Sequence, residues 1–338
     1  MTGDVLLHPP LWDQAKADAK ADGSSSDFDF TPLLAGQKAI VSGADVALCH
    51  LETPLAAQGG PFHGYPSFAV PPEIGPALVA TGYDACSTAS NHTMDAGVAG
   101  IDRTLDTLDA DGLRHTGSAR SAAEAHKVLT FDVRGTKVAM LSYAYGLNGR
   151  SNPSGEPWHV NIIDPAKILA DAKRAKSGGA DVVVVALHWG TEYVHPPTAM
   201  QRSLAERLTA SPDIDLVYGH HAHVVQPVQK VNGKWVVYGL GNTVAAHNVP
   251  KLDNREGLLV RVQLVREASG RWRSGRLDWV PSFMTASPYR WVDLGSALKA
   301  GGLSAATKAT YANSEQRIEK VVESLGAADQ GAHQLTSP

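Results

Sequence analysis

The chain is 338 residues long, 43% hydrophobic, and carries a formal net charge of −4. This is enough apolar material for one large domain or two ordinary ones, and the absence of a Lys/Arg stripe able to neutralise a phosphate backbone argues against a nucleic-acid partner. The longest apolar run, Val182 to Leu187, is far short of the roughly 20 residues that a membrane-spanning helix needs.

In chain order, most segments repeat one plan: an Ala-rich helix pattern, a short apolar strand, then polar residues where the strand stops. "GDVLLH" reads as a first strand carrying Asp4, and so little precedes it that the natural N-terminus is expected to have been trimmed or renumbered. "SGADVALCHLE" is a strand ending on His50 and Glu52. "PEIGPALVATGYDACSTASNHTMDAG" is a helix and a strand ending on Asn91 and His92, before a helix that contains Ile101, Leu105 and Leu108. Cys49 and Cys86 both fall in such apolar strands, so two reduced, buried thiols are expected rather than a disulfide framework.

"VLTFDVRGTKVAMLSYA" is a hairpin about Arg134-Gly135, followed by a long Gly/Pro/Asn-rich loop from 146 to 161. "PAKILADAKRAKSGGADVVVVALHWG" is the clearest helix-and-strand copy, ending on His188, and "TAMQRSLAERLTASPDIDLVYGHHAH" repeats it, ending on His220, His221 and His223. A hairpin about Asn232-Gly233 and an edge hairpin in "GLLVRVQLVREASGRWRSGRLDWV" follow. The mixture predicts a layered α/β architecture with mixed sheets. The boundaries expected are a domain over 1–290, a helical extension over 291–326 and a flexible tail over 327–338.

Ligands of open α/β sheets bind beyond the carboxyl ends of the strands, so these polar termini should converge. In an extended or turning segment, residues two apart can face the same way, which pairs His221 with His223 on one ion and turns His220 elsewhere. Singly, each candidate has a plain structural role. His188 could be a core histidine beside Trp189, Asn91 and Asp4 could be caps, Glu52 a surface carboxylate and the histidine cluster a solvated loop. Together, Asp4, Glu52, Asn91, His188, His221 and His223 form a set of hard oxygen and imidazole donors that suits a metal.

The ordered set "GDVLLH", "ADVALCHLETPL", "ASNHTMDAGVAGIDRTLDTL", "VVVVALHWGTEY", "YGHHAHVVQPV" and "VVYGLGNTV" resembles the poly-gamma-glutamate capsule-synthesis (CapA-type) proteins of the calcineurin-like metallophosphatase superfamily, from about Gly3 to about Arg261. The resemblance implies a four-layer α/β/β/α sandwich with one or two divalent metal ions at the sheet edge, Mn, Fe, Zn or Ca. Asp4, Glu52, Asn91, His188, His221 and His223 match the metal ligands. His92 matches the acid of the Asn-His motif, with Asp95 as its orienter. Two departures stand out: Leu6 replaces the histidine of Asp-x-His, with His8 at the wrong spacing to substitute, and Glu52 replaces the usual Asp, preceded by His50 where relatives usually show Asn.

The function expected is a metal-dependent hydrolase acting on a capsule or cell-envelope polymer, a peptide or a phosphoester. His92 would protonate the leaving group, and Arg150, Trp158 and His159 in the long loop are candidates for substrate contact. Two alternatives come from other classes: a peptide epimerase using an acid/base pair, and a polymer-binding or assembly component with a vestigial metal site. The resemblance points to an extracellular or cell-envelope location, with the cytoplasm as the alternative.

Overall fold

A computed structural model describes residues 1–247 and 251–335. The first sheet is five-stranded and parallel, in the order Asn242–Val244, Asp4–Val5, Leu48–Leu51, Ala85–Ser87, Arg114–Thr116. The second is six-stranded and mixed, in the order Leu129–Val133, Thr136–Ala144, Val182–His188, Leu216–His220, Lys234–Val237, Val228–Val231. A third sheet is made by Glu256–Arg266, Trp272–Met284 and Trp291–Asp293, antiparallel, with Ala332–Gln334 added in parallel to the second of these.

Three apolar cores stack these layers. On the outer face of the first sheet, the helices Ile74–Thr81 and Gly97–Asp111 bury Ile74, Leu78, Ile101, Leu105 and Leu108 with Val5, Leu51 and Cys86. On the outer face of the second, Pro165–Ser177 and Ala199–Thr209 bury Ile168, Leu204 and Leu208 against Val183, Val185 and Val217. Between the two sheets, Leu48 and Ala85 meet Val138, Met140 and Val184, and the third sheet and the helix Ala305–Glu323 extend this core through Trp279, Tyr311 and Ile318. Alternating side chains of each strand thus serve two cores, which gives the expected α/β/β/α sandwich, extended by a third sheet.

Local sequence explains the helix ends. Asp164 caps Pro165–Ser177 by accepting from the Ala166 and Lys167 amides, with Pro165 in the first turn. Thr198 and Gln201 form a reciprocal capping box on Ala199–Thr209. Both short hairpins have left-handed residues at the two turn positions, Arg134 and Gly135 (φ 52° and 82°) and Asn232 and Gly233 (φ 50° and 77°), which matches the right-handed strand twist.

Two expectations are corrected. Cys49 and Cys86 form a disulfide, Cα–Cα 4.4 Å, because the parallel register sets them directly opposite one another, a relation that neither strand reveals alone. The C-terminal part is also integrated: Trp291–Asp293 belongs to the third sheet, so no boundary falls at 290, and within the expected tail Ala328–Gln330 is a helical turn and Ala332–Gln334 a strand. Residues 336–338 of that tail lie outside the described residues. Among the described residues, no helix is long and apolar enough to cross a membrane.

Candidate metal centre

The strands carrying the candidates run parallel, with Asp4 beside His50 and His188 beside His220, so their carboxyl ends lie together. Close approach tightens this end: a Cβ on Gly3 would stand 2.1 Å from the Gly241 carbonyl oxygen, and one on Gly219 would stand 2.0 Å from that of Tyr238 and 2.3 Å from Trp189 Nε1. Only glycine fits at either place. Trp189, next to His188, is itself fixed by donating Nε1–H to the Tyr238 carbonyl at 2.8 Å.

The first group of side chains faces one point. Glu52 Oε1 lies 3.8 Å from His188 Nε2 and 3.7 Å from His223 Nε2, and His188 Nε2 is 2.9 Å from Asn91 Oδ1. Glu52, His221 and His223 each bring a donor atom within 4.8 Å of the others. His221 and His223 come together as expected, though not by strand alternation. They sit in a bend after the strand, both left-handed (φ 86° and 54°), a conformation that costs on the order of 1–3 kcal/mol per non-glycine residue and clusters at ligand sites.

Asp4 stands behind this group. Its Oδ1 accepts from His220 Nδ1 at 3.0 Å, and its Oδ2 from the His221 amide at 3.2 Å and lies 3.1 Å from His223 Nδ1. Its carboxylate therefore holds imidazoles instead of standing open to a cation. His223 Nδ1 also meets Asn242 Oδ1 at 3.0 Å, which leaves Nε2 toward Glu52. His220, expected to point away, is buried here with His50. The two rings stack at 4.0 Å and 14°, and although Asp4, His50 and His220 come close enough to surround an ion, stacked rings do not aim their in-plane lone pairs at one point.

The electrostatics separate the two layers. Burial alone would raise the Asp4 carboxyl, but hydrogen bonds from His220 and His223 outweigh it and hold Asp4 well below the usual carboxylate range. Glu52 is raised well above that range by burial, which His223 only partly opposes. Burial, reinforced by the neighbouring imidazoles, depresses His188 and His50 well below their ordinary value, and His221 to about 3. These three rings are neutral at pH 7, whereas at His223 burial is outweighed by Glu52 and Asp4, which raise it to about 9, so a metal held there has to displace a proton from His223.

His92 and Asp95 meet as expected, Nδ1 to Oδ2 at 2.7 Å, and Asp95 Oδ2 also accepts from the Phe68 amide at 2.8 Å. The Phe68 ring packs edge-on against His92 at 4.8 Å. Of the loop candidates, Arg150 is exposed and reaches Ser67 Oγ at 3.5 Å. His159 is buried with both nitrogens engaged, by Ala119 O at 3.1 Å and Glu156 Oε2 at 2.9 Å, so it braces the loop in place of the substrate contact expected of it. Trp158, half-buried, packs on the His159 ring at 5.6 Å.

Sequence reading missed several residues. Asn148 of the same loop accepts from Asn91 Nδ2 at 3.2 Å. Tyr145 covers His221 at 4.5 Å, and Tyr193 stands 6.0 Å from His223. His247 lies between His223 and His8, 4.8 Å and 4.7 Å from their rings. The asparagine of "YGLGN", the last of the quoted motifs, was the one available signal for Asn242.

The family described as bacterial capsule synthesis protein PGA_cap matches residues 1–247, most of the chain. The chain belongs to this family. It is 32% identical over 197 residues to the PGA biosynthesis protein CapA of Bacillus subtilis (strain 168), covering 57% of this chain and 50% of that protein. It is 28% identical over 173 residues to the capsule biosynthesis protein CapA of Bacillus anthracis, covering 50% and 41%. A probable polyglutamine synthesis accessory protein of Mycobacterium tuberculosis (strain ATCC 25618 / H37Rv) is 27% identical over 219 residues, covering 60% and 56%. The chain thus spans about half the length of the curated relatives it matches. Among solved structures it is similar to the NAD nucleotidase NadN of Haemophilus influenzae (TM-score 0.42, 13% identity, 73% of this chain and 48% of that one). It is also similar to the calcineurin-like phosphoesterase YfkN of Bacillus subtilis (TM-score 0.40, 17% identity, 74% and 73%).

Proposed function

We propose that this PGA_cap protein is a metal-dependent hydrolase acting on a capsule or cell-envelope polymer, a peptide or a phosphoester. One observation carries the reading: both Glu52 carboxylate oxygens are buried without a hydrogen-bond partner, as is His221 Nδ1. An isolated carboxylate costs several kcal/mol in such surroundings unless a cation compensates it. The donor set fits one. Glu52, His221 and His223 would hold a divalent ion with Asn91 and His188 beside them, and so many imidazoles suit Mn, Fe or Zn better than Ca. With Leu6 in place of a histidine and Asp4 occupied by three donors, one tight ion is the expected complement.

A divalent ion held there supplies the positive charge that lowers the pKa of a water molecule and offsets charge developing on the reacting centre. The chain's own contribution is proton transfer. Asp95 fixes Nδ1 of His92, leaving Nε2 to hand a proton to the departing atom. Tyr145 and Arg150 stand at the rim, where they would orient an extended substrate.

The relatives named for PGA and capsule biosynthesis support a surface polymer as substrate. The Cys49–Cys86 disulfide supports a location outside the reducing cytosol, in the cell envelope or beyond. Intact-mass measurement of native protein with and without reductant tests this, and two free thiols in the native material would contradict it.

The decisive test is His92→Ala assayed on two substrates. It should keep its metal and lose about 10²- to 10⁴-fold on an unactivated ester or amide, with much less lost on an activated nitrophenyl ester. Loss of metal, or equal loss on both substrates, would remove His92 from the acid role. Cleavage of neither substrate by the wild type would overturn the hydrolase reading in favour of polymer binding, or of epimerisation if solvent deuterium enters a peptide.

A further inference from the structure

Beneath the candidate ligands runs a buried chain of hydrogen bonds that crosses from one sheet to the other. Ser87 Oγ lies 3.3 Å from the Cys49 carbonyl and 2.8 Å from His50 Nδ1. His50 Nε2 lies 3.0 Å from His188 Nδ1, and His188 Nε2 ends the chain 2.9 Å from Asn91 Oδ1 and 3.8 Å from Glu52 Oε1. Ser87 and His50 belong to the first sheet and His188 to the second, and the side chains of all three are buried.

Two imidazole nitrogens in contact share one proton, so the chain can run in only two directions. In one, Ser87 donates to His50 Nδ1, His50 Nε2–H donates to His188 Nδ1, and His188 Nε2–H donates to Asn91. That direction puts a proton where a ligand needs a lone pair. In the other, His188 Nδ1–H donates to His50 Nε2, His50 Nδ1–H donates to Ser87 Oγ, and the Ser87 hydroxyl turns to the Cys49 carbonyl. His188 Nε2 is then bare and faces the site beside Asn91 Oδ1. Both directions hold the same number of protons, so the choice between them releases none.

We infer that His50 is a positioning residue: it accepts the His188 Nδ1 proton and passes the demand on to Ser87, keeping the His188 Nε2 lone pair turned to the metal position. This rests on the metal reading above. A side chain without an acceptor at the Nε2 position of His50 would leave a buried N–H of His188 unsatisfied and favour the tautomer that cannot ligate. Stacking on His220, which is itself tied to Asp4, holds the plane of the His50 ring. A ligating histidine needs an acceptor behind it; in this chain a second histidine supplies it.

The test uses zinc as the probe and compares wild type with His50→Leu, which keeps bulk without an acceptor, and His50→Gln, whose amide oxygen can reach the position of Nε2. Zinc affinity by chelator competition should fall about 10- to 100-fold in the Leu variant, the usual size for losing the partner of a ligating histidine, and recover most of that in the Gln variant. Long-range ¹H–¹⁵N spectra of zinc-loaded wild type should show His50 and His188 both protonated at Nδ1, a readout that needs no variant to fold. Wild-type affinity in His50→Leu, equal loss in both variants, or an Nε2 proton on His188 in the loaded protein overturns the inference while leaving the metal centre standing. Wild-type protein that takes up no zinc, manganese or iron removes the metal reading itself and this inference with it.

Discussion

At their carboxyl ends the two large sheets meet in buried histidines and carboxylates, while at their amino ends the same strands border a cavity of about 770 Å³ lined by residues such as Val41, Leu48, Val138, Leu216, Val260 and Trp272. The cavity is roomy, yet its charges are matched. Asp278 pairs with Arg261 at 2.9 Å and with Arg276 at 2.5 Å, and Asp45 with Arg134 at 3.2 Å. At the other end Glu52 is fully enclosed with no partner on either oxygen. The difference shows that volume is a poor guide to chemistry here. The end that keeps a buried carboxylate without a hydrogen bond, opposed only by imidazoles 3.7–3.8 Å away, is the end that has room for something from outside the chain.

Glu52→Gln tests that contrast most severely. Removing one member of a buried charge pair typically costs about 3–5 kcal/mol, equivalent to a loss on the order of 10²- to 10⁴-fold in metal affinity. The same change should leave the metal-free protein about as stable, because neither carboxylate oxygen has a hydrogen bond to lose and burial already disfavours the charged form. Titration calorimetry and thermal melting of chelator-treated protein measure the two effects. A variant that binds metal normally, or that melts lower without metal, would show that Glu52 is compensated by something else.

How far the sequence led can be judged residue by residue. Strand-end positions such as Glu52, Asn91 and His188 were legible because apolar runs mark strands and polar residues mark where they stop, and the His92/Asp95 pair because both lie on one short segment. What stayed hidden depends on relations between segments. The Cys49–Cys86 bond needs the register of two strands, and the contact of His50 with His188 needs the stacking of two sheets. The left-handed turn at His221 and His223 was concealed because histidine carries no signal for positive φ as glycine does. Ala332–Gln334 escaped notice because three residues added to a sheet edge have no periodicity to read.

Acid should expose the same contrast, since the histidines gather at the site end. His8, near the His223 ring through His247, is depressed by burial, and by the charge of His223, from its ordinary 6.5 to about 4. Unfolded, this ring takes up a proton near pH 6.5; folded, it resists until about 4. Stability is therefore full above pH 6.5, falls as the pH drops below it, and stops falling on this account near 4, a loss of about 3 kcal/mol from His8 alone. Denaturant melts of metal-free wild type and His8→Leu across pH 7 to 4 measure it. Parallel pH profiles for the two proteins would deny His8 this part.

Leu6 is the apolar residue at the charged end. It stands where an imidazole is expected, yet it is 2% exposed within the core beneath the first sheet. Leu6→His should therefore cost about 2 kcal/mol by burying a polar ring among Leu and Val side chains, with metal content unchanged by elemental analysis. A gain of a second tightly held ion would mean that the site relaxes to use the new ring, and that the apolar packing is only a consequence of the substitution.

The smallest effect belongs to the cavity end. Asp278 is buried, but its two partners are about half-exposed, with Arg261 and Arg276 side chains 46% and 54% accessible. Asp278→Asn leaves both guanidinium groups free to turn into water, so no buried charge is stranded, and the amide keeps the shape and one acceptor oxygen. The change should cost no more than about 1 kcal/mol, shrinking further as salt is raised, as for other solvent-shared pairs. Metal affinity should not move, since the substitution is at the opposite end of the sheets from Glu52. Chemical denaturation at low and high salt, with a parallel metal titration, measures both. A cost of several kcal/mol independent of salt would mean that the charges at this end are as exacting as those around Glu52, and the contrast between the two ends would then have to be drawn from the unpaired histidine and carboxylate atoms alone.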